Sequence, residues 1–96
     1  MNKNKYTIAQ ILPALNTGGV ERGVVEISKA LVENNFRSIV ISSGGHMVSQ
    51  ITRNGGIHYE LDVATKNPLK WPKIRSELKW ILENENVDLI HFCSRA

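Results

Sequence analysis

A strand-turn-helix unit at the start of the chain constrains its fold more than any other feature. Tyr6-Thr7-Ile8-Ala9-Gln10-Ile11-Leu12 is an apolar, strand-like run that enters a polar turn, Pro13-Ala14-Leu15-Asn16-Thr17-Gly18-Gly19, and a segment of helical period leaves it. Backbone amides converge where such a helix begins, and that geometry can hold a phosphate. Gly18 and Gly19 are the candidate diphosphate-binding residues on this ground. A glycine pair between strand and helix serves equally as tight-turn geometry, which is its commoner use.

Two better-known phosphate motifs do not fit. A dinucleotide site needs G-x-G-x-x-G and an acidic residue about 20 positions further on, whereas Gly18, Gly19 and Gly23 have another spacing and the second strand ends in Ser42-Ser43. A Walker loop needs Lys and then Ser or Thr after its last glycine, and Gly23 is followed by Val24-Val25. Neither a nicotinamide cofactor nor ATP hydrolysis has support.

Strand-like and helix-like segments alternate through the remaining sequence. Val20, Val24, Ile27 and Leu31 recur at helical spacing with Ala30 beside them, while Glu21, Arg22, Glu26, Lys29 and Glu33 occupy the other face, so residues 20–34 are expected to form an amphipathic helix ended by Asn34-Asn35. Ser38-Ile39-Val40-Ile41-Ser42 suits a strand buried on both faces. Residues 47–53 form a short helix closed by Asn54-Gly55-Gly56, and residues 57–61 a third strand at a sheet edge. After a loop from Asp62 to Asn67, the residues Trp71, Ile74, Leu78, Ile81 and Leu82 mark another apolar helix face, with Pro68 or Pro72 in its first turn. Residues 87–93 make the fourth strand.

This alternation implies right-handed crossovers and a Rossmann-like α/β fold, a parallel sheet with flanking helices. Ligands of such sheets bind beyond the carboxyl ends of the strands, where strand order reverses. If the first strand lies between the second and the fourth, the Gly18-Gly19 turn and Cys93-Ser94-Arg95 face one cleft. Asn16, His46, Ser94 and Arg95 are candidate residues of that cleft, and they become its acceptor side under the family resemblance described below.

Composition narrows the function further. The chain has 96 residues, 42% of them hydrophobic, enough for one small core, and a formal charge of +3 that is dispersed apart from Lys3 and Lys5. Nucleic-acid binders cluster basic residues along one face with interleaved aromatics, so nucleic acid is not an expected partner. The single cysteine, Cys93, fits a reducing cytoplasm, and the three histidines have no Cys partner at metal-ligand spacing. No apolar run approaches the length needed to cross a bilayer, and no export signal is visible.

The run Ile11 to Glu21, the helix ending Ala30-Leu31-Val32-Glu33-Asn34, the segment Ile39 to Gly45 and Asp88-Leu89-Ile90-His91 together resemble the N-terminal domain of family 4 glycosyltransferases of the GT-B fold. The specific part is Gly-Gly-x-Glu after the first strand, since alternation alone is shared by many folds. The resemblance implies a two-domain enzyme whose first domain leans toward the acceptor and whose second holds most of a nucleotide-sugar donor. Transfer then occurs in the cleft, with no resident cofactor and no obligatory metal. It further implies a glycan or lipid-linked acceptor, a part in bacterial surface polysaccharide or lipopolysaccharide synthesis, and a site in the cytoplasm or peripheral at the inner membrane face.

Against the family pattern, the sequence is expected to be the N-terminal part of such a domain, without the donor-binding half and inactive alone. It has Cys93 where several relatives carry a histidine two residues after the one matched by His91, so no catalytic base is assigned. A non-catalytic phosphate-ligand or interaction module of the same half-fold is the alternative, and a different doubly wound enzyme such as a sugar epimerase is a third. Several residues also have plain structural uses. Glu21 suits the positive end of a helix, Gly23 suits close packing on the first strand, and His91 and Cys93 suit a buried last strand. Trp71 and Trp80 with Lys66, Lys70, Lys73, Arg75 and Lys79 form either a solvated basic face, the commoner case, or a contact for an anionic membrane.

Overall fold

A computed structural model describes residues 5–14 and 19–93. Strands β1 (Thr7–Ile11), β2 (Arg37–Ser42), β3 (Ile57–Glu60) and β4 (Leu89–Phe92) alternate with helices α1 (Gly19–Glu33), α2 (Val48–Arg53) and α3 (Trp71–Asn84). A 3₁₀ turn over Pro68–Lys70 leads into α3. All strand pairs are parallel, as the alternation with helices implies, and the order is β3-β2-β1-β4, so β1 has β2 on one side and β4 on the other.

Side chains alternate across the sheet, and two cores result. Ala9, Ile11, Ile39 and Ile41 face Ile74 and Ile81 of α3. Leu12 and Val40 face Val24 and Val25 of α1 and Ile51 of α2. Strand β2 lies between both layers, and Ser38 to Ser42 are buried, as a continuous apolar, β-branched run predicts.

Each helix ends in the same way. Asn35, Gly55 and Asn86 have φ of 70°, 92° and 52°. In each case the next residue donates its amide back five positions, Phe36 to Leu31, Gly56 to Ile51 and Val87 to Leu82, at 2.8, 2.9 and 3.1 Å. This is the Schellman arrangement, which satisfies the last carbonyls and turns the chain toward the following strand. Gly56 is also a point of contact between layers, because a Cβ there would lie 2.8 Å from Ser28 Oγ and 2.9 Å from Ile51 Cγ2.

The buried face of α1 differs from the expected one. Glu21, Val24, Val25 and Ser28 point inward, while Ile27 is 44% exposed. The reason lies in the sheet surface that α1 covers, which carries Gln10 and Ser38. Gln10 Nε2 donates to the Val24 carbonyl at 3.3 Å, and the Ser28 and Ser38 hydroxyls lie 2.6 Å apart. Buried polar groups need partners, so these matches set the rotation of the helix against its most apolar stripe.

Strand β4 departs from expectation as well. His91 is exposed and Cys93 only half-buried, because β4 is a sheet edge. Phe92 is 67% exposed beside it.

Candidate functional site

Hydrogen bonds beyond the strands bring the carboxyl-end loops together. Ser43 N donates to the Pro13 carbonyl, and Cys93 N to the Ile11 carbonyl, both at 2.8 Å. The segments after β1, β2 and β4 therefore lie side by side, and α1 opens from this end of the sheet with Gly19 as its first residue. Of the two candidate phosphate residues, Gly19 is described and Gly18 lies outside the described residues. A Cβ built at Gly19 would meet no atom of the described residues within 4 Å. Packing against the described residues does not require glycine at this position, and the helix start is open on their side.

Gly23, one turn further on, is equally free of contacts, with no atom within 4 Å of a Cβ built there. This corrects the expectation of close packing on β1. The glycine instead widens a groove of about 290 Å³ between α1 and β4, lined by Val20, Ile27, His91 and Cys93 among others. His91 Nδ1 lies 3.5 Å from Cys93 Sγ, and burial pushes the Cys93 thiol above its ordinary range, which keeps it protonated near neutrality.

Of the residues expected on the acceptor side, His46 is exposed on the loop after β2. The glycines before it have a conformational role, with Gly44 at φ 106° and Gly45 at φ 138°, a region that suits glycine. Asn16, Ser94 and Arg95 lie outside the described residues.

Two cavities open at this end on the α3 face. One, about 370 Å³, is lined by Ile11, Pro13, Trp71, Ile74, Leu78 and Phe92, with Arg75 as its charged residue. The other, about 390 Å³, is lined by Ser43, Glu60, Asp62, Lys70, Lys73 and Glu77. A cluster that sequence reasoning passed over joins β2 to β3 nearby. Ser42 Oγ accepts from the Gly44 amide at 3.1 Å and lies 2.7 Å from His58 Nε2. Burial lowers the His58 pKa against the opposing charge of Glu60. The signal was present in the alternation of His58 and Glu60, which places both on one face beside the Ser42 strand end. Among the described residues no group of His, Cys, Asp and Glu is arranged to hold a metal ion.

With this geometry in view, comparison with known proteins decides the family. Residues 17–96 match Glycosyltransferase Family 4. The chain belongs to that family. It is also similar to a crystal structure of a glycosyltransferase from Rickettsia africae ESF-5, with a TM-score of 0.84 and 39% identity over 98% of this chain. The match spans 25% of that glycosyltransferase chain. A search of curated proteins finds no match. The similarity over 98% of this chain includes the parallel sheet of order β3-β2-β1-β4 and its flanking helices.

Proposed function

We propose that this chain supplies the N-terminal, acceptor-side part of an enzyme that moves a sugar from a nucleotide-sugar donor to a glycan or lipid-linked acceptor, in bacterial surface polysaccharide or lipopolysaccharide synthesis. The observation that carries this reading is the open helix start at Gly19, set beside the strand ends in a chain of family 4. In the reaction the bond between the anomeric carbon and the diphosphate oxygen breaks, the acceptor oxygen bonds to that carbon, and negative charge grows on the departing nucleoside diphosphate. Amides at the start of α1, with the positive end of the helix dipole, are suited to that charge. The donor is a substrate, so no resident cofactor is needed.

Gly19→Val in the complete enzyme tests this reading. A Cβ there meets none of the described residues within 4 Å, so the melting temperature is expected to stay within about 1–2 °C of wild type. Bulk at the point of phosphate approach should lower kcat/KM for the donor by roughly 100-fold, equivalent to about 2.7 kcal/mol. Equal donor use by both proteins would remove the phosphate role from Gly19. Diphosphate binding without any transfer by the complete protein would favour a non-catalytic ligand module.

A further inference from the structure

The last residue of β2, Ser42, is wholly buried yet carries a hydroxyl. A buried hydroxyl has one proton to give and needs a place for it. Its oxygen already accepts from the Gly44 amide at 3.1 Å, the bond of a serine turn, and His58 Nε2 stands 2.7 Å away on β3. Among the described residues that ring nitrogen is the acceptor within reach of the hydroxyl, so the proton points to Nε2 and His58 is the neutral tautomer protonated on Nδ1. Burial favours this form by lowering the His58 pKa, while the charge of Glu60 on the same strand opposes it. The other titratable groups on the elements packed around this strand end are Arg53 of α2, His46 of the loop and, on the inner side of α1, Glu21. Strand β2 brings none near, since its Arg37 binds Glu85 at the far end.

The contact holds the start of the loop between β2 and α2. Gly44 and Gly45, at φ 106° and 138°, have a backbone that glycine adopts without strain, and the same freedom gives them many alternatives. Bonds from Val48 N to the Gly45 carbonyl at 3.2 Å and from Ser49 Oγ to the His46 carbonyl at 3.4 Å tie the loop forward to α2. The Gly44 amide ties it back to the strand, beside the point where Ser43 reaches Pro13. Protonation of His58 turns Nε2 into a donor. Two N–H groups then face the Ser42 oxygen, its hydroxyl proton has lost its acceptor, and burial keeps water from replacing it. Ser42 regains an acceptor only by turning away from Gly44. We propose that His58 is a positioning residue, whose neutral imidazole holds the Ser42 hydroxyl against the Gly44 amide and so fixes the loop that carries His46 to the carboxyl end of the sheet, and whose protonation releases that loop. That the loop meets the acceptor rests on the transferase reading, whereas the latch itself does not. The loop is held above the His58 pKa and freed as pH falls through it, on the acid side of the ordinary histidine range.

Hydrogen–deuterium exchange in the complete enzyme reads the loop directly and needs no substrate. After correction for the intrinsic pH dependence of exchange, the amides of residues 44–47 in wild type should be protected at about pH 8 and exchange about 10-fold faster at about pH 5. His58→Phe keeps a ring in the half-buried site but offers no acceptor, and Ser42→Ala removes the hydroxyl. Each should show the faster exchange at both pH values, and the two together should add nothing further. His58→Gln supplies a neutral amide oxygen as acceptor and should keep the wild-type protection at both pH values. The Ile51 and Gly56 amides, in α2 and at its end, should change less than about 2-fold in every variant. Unchanged loop exchange in His58→Phe overturns the proposal. Acid release that persists in His58→Gln does so as well, because it assigns the titration to another group, and so does exchange that rises equally in α2, because it makes His58 a packing residue. A complete protein that transfers no sugar would remove the acceptor from this account and leave the exchange result standing, so the two readings fail separately.

Discussion

The two ends of the sheet are built on different principles. At the amino end, Arg37 holds the Glu85 carboxylate at 2.6 Å and reaches Thr7 Oγ1 and the Glu85 carbonyl, both at 3.3 Å. Tyr59 donates its hydroxyl to the other Glu85 oxygen, and the Thr7 amide donates to Asp88 at 2.7 Å. Side chains of β1, β2, β3 and the α3–β4 connection are tied together there. The carboxyl end is built otherwise. Ser42 meets His58 there, the loops carry Gly44 and Gly45, a Cβ at Gly19 would touch none of the described residues, and two cavities open between the strand ends and α3. Parallel α/β proteins place ligands at that end, so the stabilising network and the binding surface can be altered separately.

The largest expected effect breaks the amino end by packing. Gly56→Val forces a branched side chain against Ser28 Oγ and Ile51 where a Cβ alone is already too close. A loss of about 2–3 kcal/mol in chemical denaturation is expected. A loss below about 0.5 kcal/mol would mean that α1 and α2 separate readily at this contact.

Next in size is the Glu85 cluster. Glu85→Ala removes the acceptor of both Tyr59 and Arg37 and should cost about 1–2 kcal/mol. Its pH dependence has a definite sign. The hydrogen bonds from Tyr59 and then Arg37 hold the Glu85 carboxyl below its ordinary range. The unfolded chain therefore binds this proton more readily than the folded one. The cluster's contribution is fully present above the ordinary carboxylate pKa and is lost as pH falls through that value toward the lowered native one. Denaturation curves of wild type and Glu85→Ala should converge over that acidic interval, and parallel curves would show that Glu85 is not the titrating group.

The smallest effect sharpens the comparison from the other side. Gly23 lies in the interior of α1 with open space before it. Gly23→Ala should stabilise the protein by about 0.5–1 kcal/mol through helix propensity alone. If the groove beside β4 is only a surface feature, activity of the complete enzyme will be unchanged. A stabilised protein with lowered kcat/KM would place substrate in that groove.

What the sequence disclosed follows from where local chemistry decides the outcome. The buried run Ser38 to Ser42 and the αL-tolerant residues Asn35, Gly55 and Asn86 carry their signal locally, so the doubly covered strand and the helix ends could be read in advance. The rotation of α1 could not. Its most apolar stripe includes Ile27, yet the helix turns Glu21 and Ser28 inward because Gln10 and Ser38 on the facing strands need polar neighbours. That pairing joins residues 10 to 14 positions apart and is visible only once the layers meet. The exposure of β4 is likewise a property of the sheet edge rather than of Leu89-Ile90-His91-Phe92 itself. At the candidate site, the position of Gly19 was legible from the turn, while the Ser42–His58 contact required the β2–β3 register.

The central claim, that stability resides at one end of this sheet and ligand chemistry at the other, is tested most directly by measuring melting temperature and donor kcat/KM on Gly19→Val and Glu85→Ala in the same complete enzyme. The account predicts opposite patterns. Gly19→Val keeps the wild-type melting temperature and loses kcat/KM by roughly 100-fold, while Glu85→Ala melts several degrees lower, about 2–4 °C for each kcal/mol lost in a domain of about 150–250 residues, with kcat/KM unchanged at a temperature where it is folded. If both substitutions lower both quantities in proportion, the glycine at the head of α1 is a structural turn and the separation of the two ends is wrong.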